Sequence, residues 1–254
     1  MITGIGRRAV AAVEAVGRLG HFVGDMARAL PDVRTWGRLV AQQMRRIGVD
    51  SLPVALFIAA FTGVVLALQA SYTFTGAVPL YFVGTLVGKT MMLELGPVLA
   101  GLALAGRVGA SMAAELGTMT ITEQVDALET LAYDPQSFLV VPRVVAATAM
   151  FPVIVTFAVA TGIVTGWLTS LALLELSTAQ FLKGLKIFYV FKDLWFGLFK
   201  SATFGCTITL VGCMVGLGTR GGAEGVGRST TQAVVYSAVL LLVLDAFWAL
   251  VLLR

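Results

Sequence analysis

The chain is 254 residues long, with 58% hydrophobic and 13% charged side chains and a mean hydropathy of +0.91. Soluble domains carry about 25% charged residues, so this composition excludes an ordinary water-soluble protein. The formal net charge is +4, and residues 1–46 alone contribute +5 because eight arginines stand there against three acidic residues. Several charge-free stretches reach the length of about 20 apolar residues that a membrane-spanning helix needs. We therefore predict an all-α integral membrane protein.

The first predicted element is an N-terminal amphipathic helix over residues 1–46 that lies on the membrane surface. Its arginines are interleaved with apolar residues, a pattern typical of helices on anionic membranes. Because the membrane accounts for these arginines, no nucleic-acid partner is predicted, and their number favours a cytoplasmic N-terminus. Four charged side chains interrupt the apolar core that a signal peptide would need: Arg7, Arg8, Glu14 and Arg18.

Residues 47–254 form the second predicted unit, a domain of five transmembrane helices. The predicted spans cover residues 52–72, 80–105, 144–174, 201–219 and 229–253. The string TGAVP (Thr75–Pro79) predicts a tight outer turn between the first two spans. Residues 175–200 are predicted as an amphipathic outer connector and residues 220–228 as an inner loop.

The orientation follows from the N-terminal arginines, since cytoplasmic segments of membrane proteins are enriched in Lys and Arg. Five spans that start inside place the C-terminus outside. The outer connector supports this orientation only in part, because it contains Lys183, Lys186 and Lys192.

The sequence shows no catalytic or metal-binding motif. The string VGTLVGKT (Val83–Thr90) is similar to a phosphate loop, but Val83 stands where that motif requires glycine. His21 is the single histidine, and no metal-ligand cluster or nucleophile motif is visible. We therefore predict a chain that is not an enzyme and binds no cofactor. If ATP drives it, a separate subunit binds the ATP.

Three GxxxG pairs could each bring two helices into close contact. They are Gly84 with Gly88, Gly162 with Gly166, and Gly212 with Gly216. Ordinary packing within the chain and a dimer seam are both open interpretations.

Two acidic residues, Glu94 and Asp245, lie within apolar spans. Each costs at least about 2.5 kcal/mol at mid-membrane unless it is paired or hydrated. They could be paired structural contacts, the lining of a polar substrate route, or a proton relay in a secondary transporter. Pro97 follows Glu94 closely and cannot donate a backbone hydrogen bond, so we expect a kink and a freed carbonyl there.

The string TMTITEQVDALETLAYDP (Thr118–Pro135) predicts a short amphipathic helix between spans 2 and 3. Thr120 and Glu123 match a capping box. The apolar positions recur at helical spacing, and the other positions include Glu123, Asp126 and Glu129. An acidic face suits an anionic leaflet poorly, so docking against a protein is the favoured interpretation.

The segment ELGPVLAGLALAGRVGASMAAELGTMTITEQVDALETLAYDP (Glu94–Pro135) closely resembles the signature of the MlaE/YrbE permeases of MCE-associated ABC transporters. The strings STT and LDAFWAL near Ser229 and Leu244 extend the likeness over nearly the whole chain. The resemblance implies a homodimer in the bacterial inner membrane that moves phospholipid or a related hydrophobic molecule between inner and outer membranes. It also implies an ATPase (MlaF-like) that binds ATP and Mg, an MCE protein (MlaD-like), and as an optional partner a STAS-domain protein (MlaB-like).

The resemblance further implies two groups of functional residues. The substrate path contains Glu94, Leu93, Pro97 and Asp245. The cytoplasmic coupling helix and its surroundings contain Glu115, Thr122, Glu123, Gln124, Asp126, Leu128, Glu129 and Asp134. Bacterial relatives often have arginine where this chain has Leu93. Any function of that arginine in the relatives therefore cannot be assigned to Leu93.

Two other classes of protein stay open at this point. A proton-coupled secondary transporter would use the intramembrane acids without an ATPase, and a membrane-embedded enzyme would need a catalytic set. The sequence leaves open the direction of transport, the lipid, the partners' identities and the GxxxG pair at any dimer seam.

Overall fold

The computed structural model describes residues 2–74, 78–174, 176–187 and 189–252, with side chains described at Glu14 and over 17–251. These residues form helices and short turns, and none of them lies in a strand. Five stretches are long and apolar enough to cross a membrane: Val33–Thr73, Phe82–Ile121, Gln136–Leu173, Phe191–Leu217 and Gly222–Val251. The prediction of a five-span, all-α membrane protein is therefore confirmed over the described part of the chain.

The N-terminal segment consists of two helices, α1 (Ile2–Ala29) and α2 (Val33–Ile47). In the turn between them, the indole N–H of Trp36 donates a hydrogen bond to the Leu30 carbonyl at 2.9 Å. α2 packs against the third span, and Gly48 at its end lies directly against Met150. The side chains of Arg7 and Arg8 lie outside the described ones.

The described part of the chain contains eleven α-helices. Spans 1 to 5 are built from α3, α4–α6, α8, α10 and α11, and the first apolar stretch also includes α2. Their bounds after α2 are α3 Leu52–Thr73, α4 Phe82–Thr90, α5 Gly96–Leu104, α6 Ala110–Ile121, α7 Gln124–Thr130, α8 Val141–Leu173, α9 Thr178–Ile187, α10 Phe191–Leu217 and α11 Gly222–Leu252. A short 3₁₀ turn covers Val49–Ser51, and π-helical turns cover Met91–Leu95, Ala105–Gly109 and Gln136–Val140.

The predicted bounds of spans 1 and 3 agree with the structure to within a few residues, but three other predicted bounds are wrong. Span 2 ends at Ile121 instead of residue 105, and span 4 begins at Phe191 instead of residue 201. Span 5 begins at Gly222, so most of the predicted inner loop is helical. In the predicted TGAVP turn, residues 75–77 lie outside the described ones.

Backbone contact between small residues holds spans 1 and 3 together. A Cβ at Gly63 would overlap the carbonyl of Gly162, and the Thr165 hydroxyl donates to the Ala60 carbonyl at 2.9 Å. The other two GxxxG pairs pack on span 2 and on α9 in the same way. All three pairs therefore serve packing within the chain.

Candidate functional site

Three charged side chains from three spans meet inside the bundle. Lys200 of α10 places its Nζ 2.6 Å from Glu94 Oε2 on span 2 and 2.5 Å from Asp245 Oδ1 on α11. The Asp245 contact does not have hydrogen-bond geometry, so it is an ion pair only. The Lys200 side chain is fully buried, whereas Glu94 is 39% and Asp245 21% exposed. We call these three residues the lysine cluster. The pairing of opposite charges offsets the free-energy cost of placing each charge within a span.

The backbone of span 2 supplies a further acceptor to Lys200. Pro97 has no N–H to offer the carbonyl of Leu93 four residues earlier, and Lys200 Nζ donates to that carbonyl at 3.2 Å. Glu94 itself lies in the first π-helical turn, Met91–Leu95. The expected irregularity beside Pro97 is therefore present, and its exposed carbonyl helps to hold the lysine.

Close approach of span 4 to span 2 brings Lys200 within reach of these groups. Gly197, one turn before Lys200, lies so near span 2 that a Cβ would overlap the Met92 carbonyl. Pro97 is buried in this contact and Leu93 is half-buried. Pro97 thus shapes the backbone behind the cluster, and the Glu94 carboxylate is more exposed than that of Asp245.

α11 is held beside the cluster by an aromatic contact. The Trp248 indole donates to the Thr203 hydroxyl at 3.1 Å, and the Phe199 ring meets Trp248 edge-on at a centroid distance of 5.2 Å. Both contacts lie within one helical turn of Lys200 or Asp245. They fix the spacing of the two helices that supply the ion pair.

An apolar groove of about 470 Å³ runs between spans 1 and 2. Leu95, the neighbour of Glu94 in the chain, lies in its wall. The other lining residues are Phe57, Ile58, Phe61, Thr62, Val65, Leu66, Gln69 and Leu99. Span 2 therefore offers an apolar surface and a half-exposed carboxylate on adjacent residues, an arrangement that suits an amphiphilic molecule.

A second charged group lies at the α2 end of the bundle. Glu115 accepts from Arg46 of α2 at 2.6 Å and from Arg143 of α8 at 3.0 Å. Arg143 is almost fully buried and also donates to the Leu139 carbonyl. We call Arg46, Glu115 and Arg143 the glutamate cluster. Glu115, which was predicted to couple to an ATPase, here joins span 2 to α2 and to span 3.

A short helix, α7, lies where the coupling helix is predicted, and the acidic residues in and next to it face outward. Glu123, Asp126 and Glu129 are exposed, whereas Val125 and Leu128 are half-buried against the core. Beside them, the Gln124 amide donates to the Thr122 hydroxyl at 3.0 Å.

The predicted capping box at the start of α7 is wrong. Thr120 lies within α6, where its hydroxyl donates to the Leu116 carbonyl at 2.9 Å, so it does not stand at the start of α7. Glu123 precedes α7 in a left-handed conformation, with φ 60°, and no side chain caps the helix start.

Asp134 lies just before span 3, which begins at Gln136. Its carboxylate accepts from the backbone N–H groups of Gln136 and Ser137, each at 3.1 Å, and from the Ser137 hydroxyl at 2.9 Å. A carboxylate in this position satisfies the free N–H groups of a helix start. Asp134 therefore stabilises the start of span 3.

Sequence reasoning missed the cations of both clusters. The partner of Glu94 is Lys200, whereas Lys89, which is nearer to Glu94 in the chain, pairs with Asp193 at 3.4 Å. A visible signal was the single lysine in FGLFKSATFG, which directly precedes a long apolar run. Among the described residues, no group of three His, Cys, Asp or Glu side chains could hold a metal ion.

Comparison with known proteins agrees with this architecture. The model of the family "Permease MlaE" matches residues 40–251. A probable ABC transporter permease of Rickettsia conorii is 38% identical over 239 residues, covering 94% of this chain and 92% of the relative. One from Synechocystis is 39% identical over 210 residues, covering 83% and 80%.

A plant relative belongs to the same comparison. The Arabidopsis thaliana chloroplast protein trigalactosyldiacylglycerol 1 is 35% identical over 208 residues, or 82% of this chain and 59% of the relative. The match of the family model, together with the extent of the bacterial similarity, shows that this multi-pass membrane chain belongs to the MlaE family of ABC transporter permeases.

Proposed function

We propose that this chain is the permease subunit of an ABC transporter that moves phospholipid or a related hydrophobic molecule between the inner and outer membranes with an MCE partner. The observation that carries the proposal is the half-exposed Glu94 of the lysine cluster, whose neighbour in the chain, Leu95, lines the apolar groove. The name of the Arabidopsis relative contains that of a galactolipid, which supports an amphiphilic cargo.

In this proposal the two ends of the lipid meet different surfaces of span 2. The ammonium group of a zwitterionic headgroup approaches Glu94, because the lysine cluster has two carboxylates and one ammonium group and so keeps a net negative charge. The acyl chains lie along the groove that Leu95 and Leu99 help to line. The buried Lys200 holds Glu94 in place without neutralising the whole site.

The proposed assembly is a homodimer in the bacterial inner membrane, with the N-terminus cytoplasmic and the C-terminus periplasmic. An MlaF-like ATPase that binds ATP and Mg docks on α7, an MlaD-like MCE protein lies on the opposite side, and an MlaB-like STAS protein is an optional member. The exposed acidic residues of α7 and the exposed Leu131 and Tyr133 after it support such a docking surface.

The first test is Glu94→Gln, which keeps the shape of the side chain and removes its charge. In vesicles that contain the chain with its ATPase, we expect lipid transfer and lipid-stimulated ATP hydrolysis to fall about tenfold or more, the scale of one charge-assisted contact. The matched control is Glu224→Gln, at an exposed glutamate at the start of α11. If the Glu94→Gln variant transferred lipid at the wild-type rate, the role of Glu94 would be structural only.

The same vesicles distinguish an ABC permease from a proton-coupled carrier. In such a carrier, the carboxylates of Glu94 and Asp245 would form the proton relay. An ABC permease should transfer lipid only with ATP and the ATPase present. Transfer driven by a proton gradient without ATP would favour the carrier instead.

The docking proposal is tested by reversing the charges of Glu123, Asp126 and Glu129 to lysine. We expect loss of ATPase copurification, since like charges across an interface disfavour association. The matched control reverses Glu14, Asp25 and Asp32, which makes the same charge change in the N-terminal segment. Unchanged association of the α7 variant would exclude this surface as the docking site.

A further inference from the structure

The helix α9 connects spans 3 and 4 at the end of the bundle opposite to α7, and it packs along the start of span 2. A Cβ at Gly184 of α9 would overlap the Tyr81 carbonyl. The Thr85 hydroxyl donates to the Gly184 carbonyl at 2.5 Å. Further along, Leu185 lies against Gly88, about 9 Å along span 2 from its start. α9 therefore lies beside the first turns of a membrane span and does not project beyond its end.

α9 has one buried face and one exposed face. Phe181 is almost fully buried and Leu185 is half-buried on the side that meets span 2. The exposed side chains recur at the spacing of a single helix face and line a shallow concave surface. They are Ala179, Leu182, Lys183, Lys186 and Ile187. Among the described residues nothing covers this face, which we call the α9 face.

Positive charge is in excess around the α9 face. Residues 174–195 contain three lysines and two acidic residues, Lys183, Lys186, Lys192, Glu175 and Asp193. Asp193 is paired with Lys89 of span 2, so four lysines stand against two acids in this region. Lys183 and Lys186 form no ion pair with any described residue. Their ammonium groups are therefore available to an anion outside the chain.

Aromatic side chains surround the same end of the bundle. Tyr189, Phe191 and Trp195, which follow α9, are 46%, 61% and 60% exposed. The ammonium group of Lys183 lies 5.0 Å from the centre of the Tyr81 ring. Tyr and Trp are enriched where a membrane meets water, and lysine extends its ammonium group into the headgroup layer. These residues indicate that α9 lies at the membrane interface.

The mixture of side chains on the α9 face indicates what covers it. Water would leave the aliphatic side chains of Leu182 and Ile187 exposed, at 42% and 44%. Hydrocarbon would surround the unpaired ammonium groups of Lys183 and Lys186 at a large cost in free energy. The headgroup layer of an anionic membrane suits both kinds of side chain, as it does for other basic amphipathic helices. Because α9 lies beside span 2, lipid reaches this face directly.

We propose that the α9 face binds anionic phospholipids of the adjoining leaflet. Lys183 and Lys186 contact the lipid phosphates, and Leu182 and Ile187 lie against the upper part of the acyl chains. This interaction goes beyond the proposed transport function, because it involves neither the lysine cluster nor the apolar groove between spans 1 and 2. It does not depend on the cargo or on the direction of transport.

The test measures which lipid lies against α9 in the full-length chain. Protein is reconstituted in phosphatidylcholine vesicles that contain photoactivatable phosphatidylglycerol or, in parallel, photoactivatable phosphatidylcholine with the same acyl chains. Labelled peptides are then identified by mass spectrometry. We expect phosphatidylglycerol to label residues 176–195 several-fold more than phosphatidylcholine does, since each lysine near an anionic surface strengthens the attraction about fivefold. The excess should shrink in high salt.

Variants show whether the two lysines cause the excess. Lys183→Gln with Lys186→Gln should abolish it, whereas Lys183→Arg with Lys186→Arg should keep it in a folded protein. The matched control, Arg220→Gln with Arg228→Gln, removes an equal charge at the opposite end of the bundle and should leave the labelling of residues 176–195 unchanged. Equal labelling of wild type by the two lipids, or an undiminished excess in the glutamine variant, would overturn the proposal.

Two further measurements separate this surface from the transport route and from a protein interface. Glu94→Gln should keep the excess even where it abolishes lipid transfer, so the two proposals can fail independently. The same labelling is repeated in native membranes, where the chain is assembled with its partners, and the phosphatidylglycerol label should persist there. Its loss in native membranes alone would show that a protein subunit covers the α9 face and would overturn the lipid assignment.

Discussion

The lysine cluster and the glutamate cluster have the same plan with opposite charges. In one, Lys200 lies between two carboxylates; in the other, Glu115 lies between two guanidinium groups. Each joins three helices that are distant in the chain. The central residue differs in its environment, because Lys200 is fully buried whereas the Glu115 side chain is 31% exposed.

This difference in burial indicates which cluster the fold depends on more. A buried charge that loses its partner cannot be compensated by water, whereas a half-exposed one can. The lysine cluster should therefore dominate stability, and the glutamate cluster should contribute through its one buried member, Arg143. Three substitutions, in order of falling effect, test that ranking.

The largest effect is expected from Lys200→Met, which leaves Glu94 and Asp245 near each other without a cation. The variant leaves two uncompensated carboxylates within apolar spans, each of which costs at least about 2.5 kcal/mol, whereas Glu115→Gln leaves only one uncompensated charge. We expect a large drop in the yield of folded protein and in the thermal unfolding temperature, measured by fluorescence-detected size exclusion after heating.

The control for Lys200→Met replaces the whole cluster by neutral side chains of similar shape. The triple variant Lys200→Met, Glu94→Gln and Asp245→Asn should regain most of the lost stability, since no unpaired charge remains. It should stay inactive in lipid transfer. A triple variant as unstable as Lys200→Met would show that packing around Lys200, and not charge, holds the three spans together.

Glu115→Gln should have an intermediate effect on stability. The neutral amide leaves the buried Arg143 without a counter-charge, although the Leu139 carbonyl still accepts one of its hydrogen bonds. Loss of a hydrogen bond between charged groups corresponds to about 1.5–3 kcal/mol. The same heating assay checks this, and a loss equal to that of Lys200→Met would contradict the ranking by burial.

Arg46→Gln should have the smallest effect of the three. Its side chain is about half exposed, and ion pairs of exposed side chains contribute about 0–1 kcal/mol. We expect an unfolding temperature within a few degrees of wild type, and a difference that shrinks in high salt. A loss larger than that of Glu115→Gln would mean that α2 is anchored mainly through this pair.

The same clusters explain what the sequence could and could not predict. Spans 1 and 3 were located well because their apolar runs contain no charge. The C-terminal end of span 2 and the start of span 4 were missed, because charged residues such as Glu115 and Lys200 were taken to mark loops. Their partners, Arg143 and Glu94, lie 28 and 106 residues away, and no local pattern reveals such pairing.

The candidate site was predictable in part for the same reason. Glu94 and Asp245 stood out as acids within apolar runs, and Pro97 as a residue that leaves a carbonyl free. Their common partner could not be found from spacing, because it depends on the packing of Gly197 against span 2. Likewise, the task of Asp134 at the start of span 3 follows from backbone geometry that the sequence does not specify.

The two π-helical turns of span 2 affect how its sequence should be aligned with that of other proteins. Each π turn resembles an α-helix into which one residue has been inserted, and each residue turns an α-helix by about 100°. Deletion of one residue outside these turns would rotate everything beyond it onto another face. Deletion of one residue within Met91–Leu95 or Ala105–Gly109 would instead restore a regular helix and keep the remaining register. Such single-residue deletions would remove the π-helical turn that contains Glu94 or Arg107 while leaving the rest of the span in place.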